Sequence, residues 1–123
     1  MDYKRFGPPD SAEFGRLREA VMAQRKVRTA RLCEEAWSKA RMVAELLHNK
    51  YGARRVLVFG SLAKNGFRDG SDIDIFAEGC SGSYWRMFSE AERLASPFEV
   101  HIVCDEDASS TLVMTVTNEG VEL

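Results

Sequence analysis

The amino-acid sequence predicts an α+β fold: a small mixed β-sheet layered with helices mainly on one face, carrying an N-terminal helical extension. Three observations support this reading. Residues 16 to 51 contain neither Gly nor Pro, and their apolar side chains recur at three- and four-residue steps, the spacing of an amphipathic helix. The apolar runs Val56–Phe59, Asp72–Ala77 and Phe98–Cys104 have the length and alternation of strands. Helical patterns separate these runs, and a chain of 123 residues, 45% hydrophobic, is long enough to bury one core.

Taken in order, residues 1–10 read as a loose tail closed by Pro8-Pro9, and 11–123 as a single domain, with 11–51 the helical extension and 52–123 the core. Asp10 followed by Glu13 marks a helix start. Cys33, Trp37, Ala40, Ala44, Leu47 and Tyr51 draw one apolar stripe along a helix that ends at Gly52, and this stripe is expected to lie on the sheet. An earlier stripe, Phe14, Leu17 and Val21, belongs either to the same helix or to a separate one broken near Thr29. With little sheet left to cover, it is a candidate contact for another protein.

The first strand, Val56–Phe59, feeds a Gly60-Ser61 turn and a short helical piece near Leu62–Lys64, and a Gly-rich loop then leads to the second strand, Asp72–Ala77. Gly79–Ser83 reads as a loop with Ser83 as N-cap of a helix Tyr84–Ala95, whose Tyr84, Trp85, Phe88, Ala91 and Leu94 are spaced to enter the core. Pro97 stops that helix before the third strand, Phe98–Cys104. In the last segment, Ser109–Glu119, Thr and Val favour strand, whereas the spacing of Leu112, Val113 and Val116 and the terminating Gly120 favour helix.

The chemistry concentrates at two places. A strand running into Gly60-Ser61 presents backbone N–H groups and a hydroxyl, a natural cradle for phosphate oxygens. In Gly70-Ser71-Asp72-Ile73-Asp74 the alternation puts Asp72 and Asp74 on one strand face, their stems about 7 Å apart, so that converging carboxylates could grip a hard cation bridging to phosphates. Either motif alone is weak, since alternating acids are usually a solvated strand face and Gly-Ser is ordinary turn chemistry. Together, at the ends of two successive strands, they point to metal-assisted phosphoryl or nucleotidyl transfer.

Gly60-Ser61, the spacer and Ser71-Asp72-Ile73-Asp74 resemble the signature of the DNA polymerase β-like nucleotidyltransferase superfamily, and the chain is similar to its minimal nucleotidyltransferase (MNT) branch from about Leu46 to the ending Asn118–Leu123. The resemblance implies a palm-like fold in which Gly60 and Ser61 bind ATP or another NTP while Asp72 and Asp74 hold Mg²⁺ or Mn²⁺; from their own positions Gly70 and Ser71 are further candidate nucleotide-binding residues, and Lys64, in the spacer, either neutralises phosphate charge or is a plain surface group. The resemblance further implies transfer of NMP, AMP foremost, to a hydroxyl of a small helical HEPN-type partner in a toxin–antitoxin pair. Leu62 and Lys64 depart from the family pattern, where arginine is common. So does the third strand: His101 aligns with the position where the family places a third aspartate. Glu99, two residues away on the same face, is expected to complete the metal cage, with His101 supporting it or acting in proton transfer, because imidazole is a poor ligand for Mg²⁺. Two alternatives stay open. One is a non-catalytic nucleotide- or partner-binding module; the other is an aminoglycoside-type enzyme acting on a small molecule, for which so short a chain leaves little room.

Composition narrows the setting. No apolar stretch is long enough to cross a bilayer, and the opening residues lack the apolar run of a signal peptide, so a cytoplasmic protein is expected. Cys33, Cys80 and Cys104 have no metal-ligand spacing and fit a reducing compartment. The net charge of −2 hides an asymmetry: residues 1–55 hold 13 Lys/Arg against 7 Asp/Glu, and residues 56–123 hold 4 against 12. The acidic half suits a cation-binding sheet. The basic run Arg25–Arg31 could meet nucleic acid or an acidic partner, although a solvated helix face is the commoner outcome, and a homo-oligomer is also open.

Overall fold

The computed structural model describes residues 11–123, so the expected tail and the Asp10 helix start lie outside the described residues. The elements are α1 (Ser11–Tyr51), β1 (Arg55–Phe59), β2 (Ile73–Glu78), α2 (Tyr84–Ala95), β3 (Val100–Cys104), a 3-10 turn at Asp105–Asp107, α3 (Ser110–Glu119) and β4 (Val121–Glu122). The four strands form one mixed sheet in the order β3-β2-β1-β4. β1 runs antiparallel to both β2 and β4, whereas β2 and β3 are parallel, as a connection through a helix allows.

The 41 residues of α1 form a single helix, unbroken at Thr29, and Gly52 ends it with a φ of +71°, the left-handed cap its sequence position suggests. Its C-terminal half packs on the sheet. Ala36, Ala40, Val43 and Leu47 are fully buried, and with Met87, Ala91 and Ala95 of α2 they cover Val56, Val58, Ile73, Ile75, Ala77, Val100 and Ile102. Burying each large aliphatic side chain contributes about 1.5–3 kcal/mol, so this face holds most of the fold's stability. The buried stripe is rotated from the expected one: Ala36 and Val43 lie at its centre, while Cys33 and Trp37 are only partly buried.

The opposite face of the sheet is covered over a smaller area. Val116 of α3 packs on Leu57 and Phe76, flanked by Phe59, Ala108 and Leu112. The 110–119 segment is therefore a helix, with the Ser109 hydroxyl accepting the N–H of Leu112 at 3.1 Å. Gly120 ends it at a φ of −71°, so the left-handed cap does not apply; a Cβ there would stand 2.4 Å from the carbonyl oxygen of Val116, and glycine is needed for space. The chain then turns into β4, and the N–H of Leu123 bonds the Val56 carbonyl at 2.9 Å. This fourth strand is absent from the sequence reading.

Two further expectations need correction. Residues 60–65 make tight turns, with Lys64 N–H to Gly60 O at 3.2 Å and Gly66 N–H to Ser61 O at 2.8 Å, and no helix at Leu62–Lys64. The aromatic residues of α2 are not core: Trp85 is 76% exposed and Tyr84 37%, because the face turned to the sheet is that of Met87, Ala91 and Ala95. Tyr84, Trp85 and Phe88 instead form a surface cluster of stacked and edge-on rings, anchored by the Tyr84 hydroxyl donating to Ile102 O at 2.8 Å. Ser83 caps α2 as expected, accepting the N–H of Arg86.

Candidate functional site

Strand register assembles the site. Phe59 lies opposite Asp74 on β1 and β2, and Asp74 lies opposite His101 on β2 and β3, so these three side chains form one row across the sheet. The row sits on the α3 face, at the edge where β1 ends and β2 and β3 begin. Alternation sends Ile73 and Ile75 into the core and turns Asp74 outward, half-buried, next to Asp72 at the strand's start. Glu99 directly precedes β3, and its carbonyl accepts the N–H of Ile73 at 2.9 Å, which fixes it beside Asp72.

The polar side chains converge. His101 Nε2 is 3.5 Å from Asp72 Oδ2, and Nδ1 is 3.9 Å from Asp74 Oδ1. Asp72, Glu99 and His101 each offer one donor atom within 4.8 Å of the others. Partial burial pushes the Asp74 carboxyl above its ordinary value of 3.8; His101 opposes the rise and the Asp72 carboxylate adds to it. The set of Asp72, Glu99 and His101 is two carboxylates and an imidazole, with Asp74 bordering it through His101 and outside the mutually close group; the carboxylates are donors that hard divalent cations take.

Gly60 belongs to the same construction. Its φ is +72°, and a Cβ there would stand 2.3 Å from Asp74 Oδ2, so the turn backbone lies directly against the carboxylate. Ser61 follows it in the turn. Gly70 and Ser71 close the loop ahead of Asp72: the Ser71 hydroxyl accepts the Arg68 N–H at 3.1 Å, and the Ser71 N–H donates to Arg68 O at 3.0 Å. The Ser71 hydroxyl thus shapes the turn that delivers Asp72.

Lys64, expected near the nucleotide, reaches Glu119 at the end of α3, Nζ to Oε2 being 2.9 Å. That ion pair ties the turn after β1 to α3. Glu119 carries no spacing signal that would have revealed its partner. Tyr84 bonds the Ile102 carbonyl in the middle of β3, and its ring groups with those of Trp85 and Phe88.

A family model describing a nucleotidyltransferase domain matches residues 40–120. Among solved structures, one described as a candidate minimal nucleotidyltransferase is 28% identical, covers 74% of this chain and 95% of its own, and superposes with a TM-score of 0.62. A toxin–antitoxin solved with AMP-PNP is 22% identical, with a TM-score of 0.57, covering 68% of this chain and 70% of its own. A mutant of the toxin–antitoxin MntA-HpeT is 19% identical over the same shares, with a TM-score of 0.56. A search of curated proteins finds no significant match.

Proposed function

This chain belongs to the nucleotidyltransferase domain family, and on that premise we propose that it transfers AMP from ATP to a hydroxyl group of a partner protein. The observation that carries the reading is the convergence of the Gly60-Ser61 turn, Asp72 and Asp74 at one sheet edge, with Gly60 lying against the Asp74 carboxylate. Backbone N–H groups of the turn and the Ser61 hydroxyl seat the triphosphate. Asp72 and Asp74, joined by Glu99, hold Mg²⁺ or Mn²⁺, and Gly70 and Ser71 position the first of these acids. When bound, the ion neutralises phosphate charge and polarises the α-phosphoryl group.

The acceptor oxygen attacks the α-phosphorus: a new P–O bond forms, the bond to the pyrophosphate oxygen breaks, and pyrophosphate leaves. The hydroxyl proton passes to solvent at the open edge of the site, where Glu99 and His101 are exposed. Two of the similar structures are toxin–antitoxin assemblies, one of them solved with AMP-PNP, which supports a protein acceptor and an adenine nucleotide. A small helical HEPN-type toxin, with this chain as antitoxin, is the partner we propose. Its docking surface is the first half of α1, where Phe14, Leu17 and Val21 are exposed.

A non-catalytic binding module is the second reading, favoured by one observation: His101 stands opposite Asp74 where a carboxylate would be expected. Incubating the purified chain and its co-expressed genomic neighbour with α-labelled ATP and Mg²⁺ or Mn²⁺ separates the two. Label moving to the neighbour, and lost with Asp72→Asn/Asp74→Asn, supports transfer. Tight nucleotide binding without any labelling supports the module.

A further inference from the structure

Three donors of different chemistry meet at the sheet edge: the carboxylates of Asp72 and Glu99 and the imidazole of His101, their offered atoms all within 4.8 Å of one another. His101 is not a bystander on the strand. It lies in register with Asp74, and its two ring nitrogens face two different carboxylates, at 3.5 and 3.9 Å. Both separations exceed an ordinary hydrogen bond of about 2.7–3.2 Å, so neither carboxylate claims the ring. Donors around a single octahedral ion, each about 2.1 Å from it, stand about 3 Å apart when adjacent and about 4.2 Å when opposite. The observed spread therefore lies a small side-chain rotation away from coordination. Glu99 and His101 are exposed and have room to make it.

We infer that His101 is itself a ligand of the divalent ion and that it sets the ion's identity, making this site selective for Mn²⁺ over Mg²⁺. The chemistry is that of donor softness. Mg²⁺ takes oxygen almost exclusively and gives up water reluctantly, so an imidazole in place of a carboxylate removes a good ligand and adds a poor one. Mn²⁺ keeps the octahedral, oxygen-rich coordination that carboxylates and phosphates supply, yet accepts imidazole nitrogen. The turn side of the site leaves no slack to compensate, since the Gly60 backbone already lies against Asp74. The inference rests on the nucleotidyltransferase reading only in placing the ion among Asp72, Asp74 and Glu99.

The test uses metal-free full-length protein and measures binding, not turnover. Mn²⁺ affinity is read from the electron paramagnetic resonance signal of the free ion, Mg²⁺ affinity from competition, each with and without ATP. The parent is expected to bind Mn²⁺ at least about tenfold tighter than Mg²⁺, as ligand softness dictates, and to show ¹⁴N modulation from one imidazole in the spin echo of the bound ion. His101→Asp should abolish the modulation and bring the two affinities to within about threefold, by restoring an oxygen donor. His101→Ala should abolish the modulation while weakening Mn²⁺. Mn²⁺ bound without ¹⁴N modulation, yet lost in Asp72→Asn/Asp74→Asn, overturns the role of His101 and leaves the nucleotidyltransferase reading standing. An unchanged ratio in His101→Asp overturns it equally. Failure to bind either ion, with or without ATP, removes both readings.

Discussion

At Gly60 the absence of one carbon holds the site together. Its positive φ and the 2.3 Å approach of a would-be Cβ to Asp74 Oδ2 make alanine unfavourable twice over, once through backbone strain and once by displacing the carboxylate. Gly60→Ala is expected to destabilise the fold by about 1–2 kcal/mol from the left-handed conformation alone. It should also weaken cation-dependent ATP binding, since Asp74 must move. Calorimetric titration and thermal melts check the two parts separately; parental ATP affinity in a correctly folded variant would dissolve the link between turn and metal. Cys104 shows the opposite case, a reactive group silenced by its surroundings. Burial above all, then the adjoining Cys80 thiol and the acids Asp107 and Glu106, push its thiol up to about 11. Alkylation at pH 8 should therefore leave Cys104 unlabelled in the native protein and label it after denaturation. Rapid native labelling by mass spectrometry would contradict that burial.

Among the elements, α1 divides into two halves with different sources of order. Residues 36–51 are fixed by packing, whereas the exposed first half depends on helix propensity and continuity with the docked turns. Phe14, Leu17 and Val21 are 55%, 56% and 46% exposed along this half. Leu17→Glu/Val21→Glu should leave stability within about 0.5 kcal/mol, as surface changes do, while abolishing co-purification with the proposed partner. Retained association would place the partner elsewhere. The elements also show how far the sequence was legible. The strand–turn–strand that brings Gly60 to Asp74 was readable, because glycine, serine and alternating carboxylates are local signals. Whether α1 breaks was not, since a run without Gly or Pro permits one helix or two. α2 was misread because Tyr84, Trp85 and Phe88 share helical spacing with Met87, Ala91 and Ala95; only the sheet's location decides which stripe is buried. β4 escaped notice because a two-residue strand has no periodicity to detect.

On the scale of the whole molecule, the Asp74 carboxylate that helps assemble the site works against the fold. Asp74 has its folded-state pKa raised above 3.8, chiefly by burial, so its ionised form is the less favourable one in the native state. Its contribution is fully favourable below the unfolded value and is lost as pH rises through the folded one, which leaves a net penalty at neutral pH. Replacing both charges should therefore stabilise the protein: Asp72→Asn/Asp74→Asn is expected to melt higher than the parent at pH 7, at about 4 °C per kcal/mol gained. The gap should shrink as pH falls through the raised folded-state value of Asp74 and close below the ordinary value of 3.8, where the carboxyl is protonated in both states. A divalent cation reverses the ranking. Binding only the native state at a hundredfold excess over its dissociation constant adds about 2.7 kcal/mol to the parent, and should add nothing to the double variant, which lacks the ligands. The two melting curves should thus cross as cation is added at neutral pH. A double variant that melts no higher than the metal-free parent would refute the penalty, and one that gains as much from the cation would refute the site, because stability given up for a functional constellation should return when its ligand arrives.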